Sequence, residues 1–391
     1  PVVEANAILQ EKAGIRFFYK NDGQNPSASF KDRGMASAFS YLSHMIGTGQ
    51  LTDVLAICAS TGDTSAAAAL YAAYLQKDIK SAVLLPHGKV TPQQLSQPLG
   101  SGAHVFEVPG VFDDCMKVVE KLSGTYHVAL LNSKNAWRIL GQESYAYEIA
   151  QDFDYDLRNV VVVVPIGNAG NITAVMRGFL KFLDVGIIDQ LPKIIGVQSE
   201  HANPVYRYYR EPDPSKRRFE PVSVRPSVAQ AAMIGNPVSM PRVIQLVENY
   251  QQHAGESRVF FVEVTEQEIM DWGLLANRNG HIACTHGGEC LAGLVQAIKL
   301  GHVAADEIGV LDSTAHALKF AGFQDLYFGD HFPAKYHVKP KAELKNAPAL
   351  IFPKGLDRVP EAGKPLKEED LKRFVDGVSQ EIASALGLKK R

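Results

Sequence analysis

The chain has 391 residues, of which 46% are hydrophobic and 21% charged, and its 40 basic and 42 acidic side chains leave a formal net charge of −2. This is an ordinary globular composition with room for two domains. The charge balance gives no electrostatic support to a nucleic-acid or membrane-surface role, and no apolar run approaches the roughly 20 residues of a spanning helix.

The opening residues, PVVEANAILQEKAG, read as folded protein with no secretory leader, and a start at Pro1 leaves room for a missing upstream segment. A strand is expected over 15–20, followed by NPSASFKDRGM at 25–35. Ser27 and Ser29 can cap a helix over 32–45, with Ser29 and Asp32 forming an S-x-x-D start signal. Lys31 then falls in the first turn, shielded by Phe30, where the positive end of the helix dipole disfavours an ammonium ion. A lysine that sheds its proton near neutrality can form a Schiff base. Taken alone, the plainer reading is a solvated lysine neutralised by Asp32.

A strand over 54–59 runs into Ser60-Thr61-Gly62-Asp63-Thr64-Ser65-Ala66 and an alanine-rich helix over 64–76. One hydroxyl there would mean only a cap. Several hydroxyls, a Gly and an Asp in one turn suit a carboxylate cradle. Strands over 81–85, 104–108 and 128–131 and a helix over 112–122 follow. Arg138 then opens a helix expected over 138–149, preceded by Ser133. Its guanidinium suits a phosphate dianion, although alone it reads as a surface arginine.

The five valines at 160–164 mark a strand buried on both faces. It runs into Gly167-Asn168-Ala169-Gly170-Asn171, a Gly-rich strand-to-helix turn fit for a phosphate. Neither G-x-G-x-x-G nor a Gly-Lys-Ser/Thr P-loop is present there. Helices over 171–183, 241–250, 266–277 and 288–300 and strands over 194–198, 259–264 and 309–311 complete the alternation, with a basic, Pro-rich loop over 211–225. Thr314 follows the last strand, placed to bond a ligand nitrogen. Prolines crowd 333–365, and 366–391 reads as an amphipathic helix for packing or subunit contact. Such alternation predicts an α/β fold of mostly parallel sheets flanked by helices.

The cysteines Cys58, Cys115, Cys284 and Cys290 form no C-x-x-C pair, which predicts a reduced, cytoplasmic protein. His281, Cys284, His286 and Cys290 cluster in sequence, but their spacing matches no common zinc pattern, and no metal is expected.

An amine for a Schiff base, a phosphate cup, a carboxylate cradle and a second anion site together describe a pyridoxal-phosphate enzyme acting on an amino acid. SFKDRGM at 29–35, STGDTSA at 60–66, GNAGN at 167–171 and STAHALK at 313–319 carry a specific resemblance. In that order and spacing, the chain resembles the threonine synthases, a branch of the fold-type II pyridoxal-phosphate enzymes, from about Ala13 to Gly322.

The resemblance implies a two-domain, tryptophan-synthase-β-like fold, with 34–141 as the smaller domain and 1–33 plus 142–391 as the larger one with a C-terminal tail. It implies that Lys31 carries pyridoxal 5′-phosphate and acts as the catalytic base. It implies further that Gly167, Asn168, Ala169, Gly170 and Asn171 hold the cofactor phosphate and that Thr314 faces its ring nitrogen. Asp63 falls beside the cofactor 3′-oxygen, where many relatives have Asn and some Asp, which leaves protonation there open. Ser60, Thr61 and Thr64 match the substrate-carboxylate cradle, and Ser133, Arg138 and Asn168 the substrate-phosphate pocket. The implied reaction converts O-phospho-L-homoserine and water to L-threonine and phosphate. A homodimer is expected, with no nucleic-acid or membrane partner. Lys31 lies unusually early, and the extension through which some plant relatives respond to S-adenosylmethionine is absent, so no such control is expected. Two alternatives stand: a sister enzyme such as cysteate synthase (phosphoserine plus sulfite), and a non-catalytic ligand-binding relative.

Overall fold

The β-rich runs and the amphipathic stretches between them close into two sheets with helices against their faces. The computed structural model describes all residues except 53, 61, 76–78, 89–91, 111, 134, 352–362 and 391. Its strands are β1 (Val2–Glu4), β2 (Arg16–Asn21), β3 (Val54–Ala59), β4 (Ile79–Pro86), β5 (His104–Val108), β6 (Val128–Leu130), β7 (Val160–Pro165), β8 (Lys193–Ser199), β9 (Val259–Val264) and β10 (Ile308–Ser313). Its first helices are α1 (Ala7–Ala13), α2 (Lys31–Gly47), α3 (Asp63–Leu75), α4 (Pro92–Gly100), α5 (Phe112–Ser123), α6 (Ala136–Gln142) and α7 (Ser144–Asp152). The later ones are α8 (Gly170–Asp184), α9 (Pro204–Arg210), α10 (Met240–Ala254), α11 (Glu266–Arg278), α12 (Thr285–Lys299), α13 (Ala321–Phe328) and α14 (Glu368–Ala385).

Residues Pro1–Leu344 form one compact unit and Lys345–Arg391 a second. In the first, a six-stranded sheet runs β1-β2-β10-β7-β8-β9 and a four-stranded sheet runs β5-β4-β3-β6. Every pairing is parallel except β1 with β2. Val160–Val164 are all buried, as a central strand covered on both faces requires. Each such side chain contributes about 1.5–3 kcal/mol of transfer free energy. The second unit contains α14, whose Leu371, Val375 and Ile382 are exposed.

The helix expected over 138–149 is two helices meeting at Glu143. The Glu143 carboxylate is buried and held by Lys181 at 2.5 Å and Arg177 at 3.3 Å, both on α8. The break lets α6 pack on α2 while α7 packs on α8. Two glycines make the first of these contacts close: a Cβ on Gly34 would lie 2.9 Å from the Arg138 carbonyl oxygen, and one on Gly141 would collide with the Arg33 carbonyl. Gly141→Val should therefore push α2 and α6 apart and lower stability by about 1–3 kcal/mol, measured by urea unfolding followed by circular dichroism.

Candidate active site

The parallel strands point their carboxyl ends at one cleft. Lining residues follow β3 (Ser60, Asp63, Thr64), β6 (Asn132, Ser133, Arg138), β7 (Gly167–Asn171) and β10 (Thr314), and Phe30 and Lys31 open α2. Ligand sites of parallel sheets lie beyond such strand ends. The cleft encloses about 820 Å³ of empty space, its open mouth included.

Lys31 is the first residue of α2 and is fixed from several sides. The Ser29 Oγ accepts from its N–H at 3.4 Å. The Phe30 N–H donates to the Thr314 carbonyl at 2.8 Å, and the His316 N–H to the Ala28 carbonyl at 3.0 Å. These bonds clamp the segment before α2 onto the end of β10. Ala28 takes a left-handed backbone at φ +61°, a conformation that side chains disfavour. The expected Ser29–Asp32 capping pair forms differently. Asp32 Oδ2 accepts from the Ser27 N–H at 2.9 Å and the Ser27 hydroxyl at 2.8 Å, so Asp32 ties down the loop and does not neutralise Lys31. Arg33, two residues on, grips Asp22 through Nε at 2.8 Å and Nη2 at 2.7 Å and Glu148 through Nη1 at 2.6 Å.

The Lys31 amine lies 3.7 Å from the centre of the Phe30 ring. Its pKa is lowered to about 7, first by burial and then by the Arg138 charge, against the opposing pull of Asp63 and Asp312. Burial and a neighbouring cation make this lysine easy to deprotonate.

Arg138 is buried, and burial lowers its pKa to about 10. Its Nη1 donates to the Leu131 carbonyl at 2.8 Å, while its Nε has no partner and no carboxylate pairs with it among the described residues. Removing a guanidinium from water without a counter-ion is costly. Ser133 and Asn168 line the same space, and Asn168 Oδ1 is likewise buried without a partner. The Gly167–Asn171 turn leads into α8, with Ala169 at its cap in a left-handed backbone of φ +62°. Among the described residues the N–H groups of Gly167–Asn171 have no acceptor, as expected where a helix start waits for an anion. A Cβ on Gly167 would lie 3.1 Å from Ala232 Cα, so the turn is closely roofed.

On the opposite wall, Lys319 reaches Asp63 Oδ1 at 2.9 Å and the Ser27 carbonyl at 2.9 Å. Burial would raise the Asp63 pKa, but Lys319, Lys31 and His286 outweigh it and hold the carboxyl below its ordinary value. Ser60 Oγ accepts from the Gly62 and Ser65 N–H groups at 3.0 and 3.1 Å, so Ser60 caps α3 while also facing the cleft. Thr64 and Thr314 line the cleft, and Thr61 lies outside the described residues.

Several residues here carried no sequence signal of a role. Lys319 and Asp312 stand inside the LDSTAHALK run but stay silent until the fold shows that Lys319 faces Asp63 and that Asp312 accepts from Asn171 Nδ2 at 2.7 Å. His286 lines the cleft with Nδ1 2.9 Å from Glu289 and a buried, unpartnered Nε2. The His281–Cys290 cluster does not converge: Cys290 donates to the Val163 and Asp312 carbonyls and Cys284 faces Thr314. Ala231, Ala232 and Ile234 come from a loop with no legible motif.

The pyridoxal-phosphate dependent enzyme family matches residues 1–313. Over 313 residues the chain is 36% identical to threonine synthase from Methanocaldococcus jannaschii, covering 80% of this chain and 73% of that protein. It is 35% identical over 329 residues to chloroplastic threonine synthase 2 of Arabidopsis thaliana, covering 81% of this chain but only 60% of that longer protein. Among solved structures, Escherichia coli threonine synthase superposes with a TM-score of 0.68 at 22% identity, covering 86% of this chain and 74% of that one. A serine ammonia-lyase from Rhizomucor miehei superposes with a TM-score of 0.66 at 16% identity over 82% of this chain and 97% of that one.

The depressed Lys31 pKa has a thermodynamic signature. Unfolded, the amine binds its proton up to its ordinary value of about 10.4; folded, it releases it at about 7. The unfolded state therefore holds more protons between these values, and stability rises with pH across that window. In protein freed of ligands, Lys31→Met should melt higher than the parent at pH 6, with the gap closing between pH 7 and 10, read by differential scanning fluorimetry. Lys319→Met leaves Asp63 buried and unpaired and should cost about 3–5 kcal/mol. The double variant Asp63→Asn/Lys319→Met should recover part of that loss in the same unfolding measurement.

Proposed function

We propose a reaction from one premise: the chain belongs to the pyridoxal-phosphate dependent enzyme family. The reaction is the conversion of O-phospho-L-homoserine and water to L-threonine and phosphate. Arg138 is the observation that carries it. A buried guanidinium without a carboxylate, beside Ser133 and Asn168 and in the same cleft as a depressed lysine, calls for a substrate that brings its own dianion. The relatives' names support the same reaction.

The residues fit the family's cofactor. The unpartnered N–H groups of Gly167–Asn171 suit its phosphate, and Lys31 supplies an amine that is largely neutral near pH 7. In this reading Lys31 holds the cofactor, Thr314 faces its ring nitrogen and Asp63 lies beside its 3′-oxygen. Bound pyridoxal phosphate supplies an electron sink for negative charge developing next to the substrate amino group.

The protein's own groups do the rest. Ser60 and Thr64, with the start of α3, orient the substrate carboxylate. Lys31 takes the Cα proton and then one Cβ proton, whose bonding electrons form the Cβ–Cγ double bond as the phosphate leaves. Arg138 and Ser133 hold the γ-phosphate until the Cγ–O bond breaks and the phosphate leaves with the bonding electrons. Water adds its hydroxyl at Cβ, and protons return to Cα and Cγ, which makes the methyl group of threonine. A hydroxyl at the ring nitrogen donates more weakly than an acid, which limits ring protonation and restrains transamination.

The same reading carries a cytoplasmic homodimer with 34–141 as its smaller domain. It is supported on the first count by four buried cysteines that are all free.

Phosphate release decides the substrate. The loaded enzyme should release phosphate from O-phospho-L-homoserine with a higher kcat/KM than from O-phospho-L-serine, and a preference for phosphoserine with sulfite would move the assignment to cysteate synthesis. Losing the partner of a buried charge costs about 2–5 kcal/mol. Arg138→Leu should therefore cut kcat/KM by about 30- to 3,000-fold at 1.4 kcal/mol per tenfold. Lys31→Ala should abolish turnover and the yellow absorbance of the bound cofactor together.

A further inference from the structure

The carboxyl end of β8 runs directly into Glu200 and His201, and a turn after α13 brings His337 against them. His201 Nε2 lies 3.4 Å from His337 Nδ1 and 3.8 Å from Glu200 Oε1. One donor atom from each residue lies within 4.8 Å of the other two.

The tautomer of His201 follows from its other nitrogen. Nδ1 lies 2.6 Å from the Pro226 carbonyl oxygen. A carbonyl only accepts, so Nδ1 carries the proton and Nε2 turns its lone pair toward His337 and Glu200. Metal-binding imidazoles are held in this way, with one nitrogen donating to a carbonyl and the other free to ligate. His201 is buried, which fixes the ring.

The spacings distinguish a shared ion from a simple contact. At 3.4 Å the two imidazole nitrogens are too far apart for a good hydrogen bond. Two nitrogens each bound at about 2.0–2.1 Å to a tetrahedral zinc ion lie roughly 3.3–3.4 Å apart. Glu200 Oε1, 3.8 Å from His201 Nε2, lies within side-chain reach of completing the set. Its carboxylate is not taken by Arg225, whose Nη2 donates to the Glu200 backbone carbonyl at 3.2 Å. Behind the ring, the buried Glu266 Oε1 lies 3.7 Å from His201 Nδ1. His337 is held in a left-handed backbone at φ +56°, which aims its Nδ1 at the pair.

We propose that Glu200, His201 and His337 bind one divalent transition-metal ion of the zinc class, with a fourth position open to water. Two imidazoles and one carboxylate favour zinc, copper, nickel or cobalt over magnesium or calcium. The ion would brace the segment that starts at Pro226 and supplies Ala231 and Ala232 to the cleft, giving metal availability a structural route to the active site.

The test uses the full chain, treated with chelator and titrated with zinc sulfate by calorimetry, followed by cobalt(II) difference spectra. The expected result is one equivalent bound, with His337→Ala and Glu200→Gln each weakening it at least tenfold while far-ultraviolet dichroism stays unchanged. Cobalt should show ligand-field bands without a thiolate charge-transfer band. His201 is left intact because it is buried, whereas the other two positions lie nearer the surface. Undiminished binding by both variants, a thiolate band from the cysteines, or no stoichiometric binding would each overturn the proposal.

Discussion

A buried guanidinium without a carboxylate sets the character of this cleft. Arg138 cannot give up its proton near neutrality even at a pKa of about 10, so its charge is a fixed feature of the interior. The Lys31 amine can give up its proton, and it is the group that yields: burial and the Arg138 charge bring it to about 7. Lysine basicity and affinity for an anion would therefore be one electrostatic arrangement, because the charge that would attract an anion also helps keep the amine free.

The scaffold holds that arrangement open at some cost in strain and burial. The segment before α2 is clamped to β10 through the Phe30–Thr314 and His316–Ala28 backbone bonds, and Arg33 ties the start of α2 to Asp22 and Glu148. Gly34 and Gly141 let α6, which carries Arg138, lie hard against α2, which carries Lys31. The two cations thus sit on helices whose approach is fixed by missing side chains. Carboxyl strand ends from both sheets supply the remaining groups, as parallel α/β architecture predicts.

What could be read from the sequence follows a physical division. Strands buried on both faces announce themselves, so Val54–Ala59 and the valine strand at Val160–Pro165 fall where the pattern places them. Turns that bind anions are also legible, because Gly, Ser and Thr at a strand-to-helix junction have few other reasons to cluster. The break at Glu143 was hidden because both halves share one apolar periodicity, and only the ion pairs to α8 explain it. Of the two serines that the sequence offers to Asp32, the S-x-x-D spacing favours Ser29, but Asp32 accepts from Ser27 once Ala28 turns left-handed. Lys319 and His286 were invisible as site residues. Their roles depend on distances across the fold, which no local spacing encodes.

Asp63 shows how a charge can stand in the wall of this cleft. An isolated carboxylate in this cleft would repel both a phenolic oxygen and a substrate carboxylate. Lys319 removes the difficulty: at 2.9 Å it makes Asp63 and itself a pair of zero net charge, held also by the Ser27 carbonyl. Asp312, the other nearby carboxyl, is pushed well above its ordinary pKa by burial and by Asp22, and it accepts from Asn171 Nδ2 at 2.7 Å. Arg138 keeps its charge with no carboxylate partner among the described residues. An anion bound there would offset the field that depresses Lys31 and raise the amine's proton affinity. Anion binding and base strength are then linked with a definite sign: the lysine becomes the stronger base when an anion sits at Arg138.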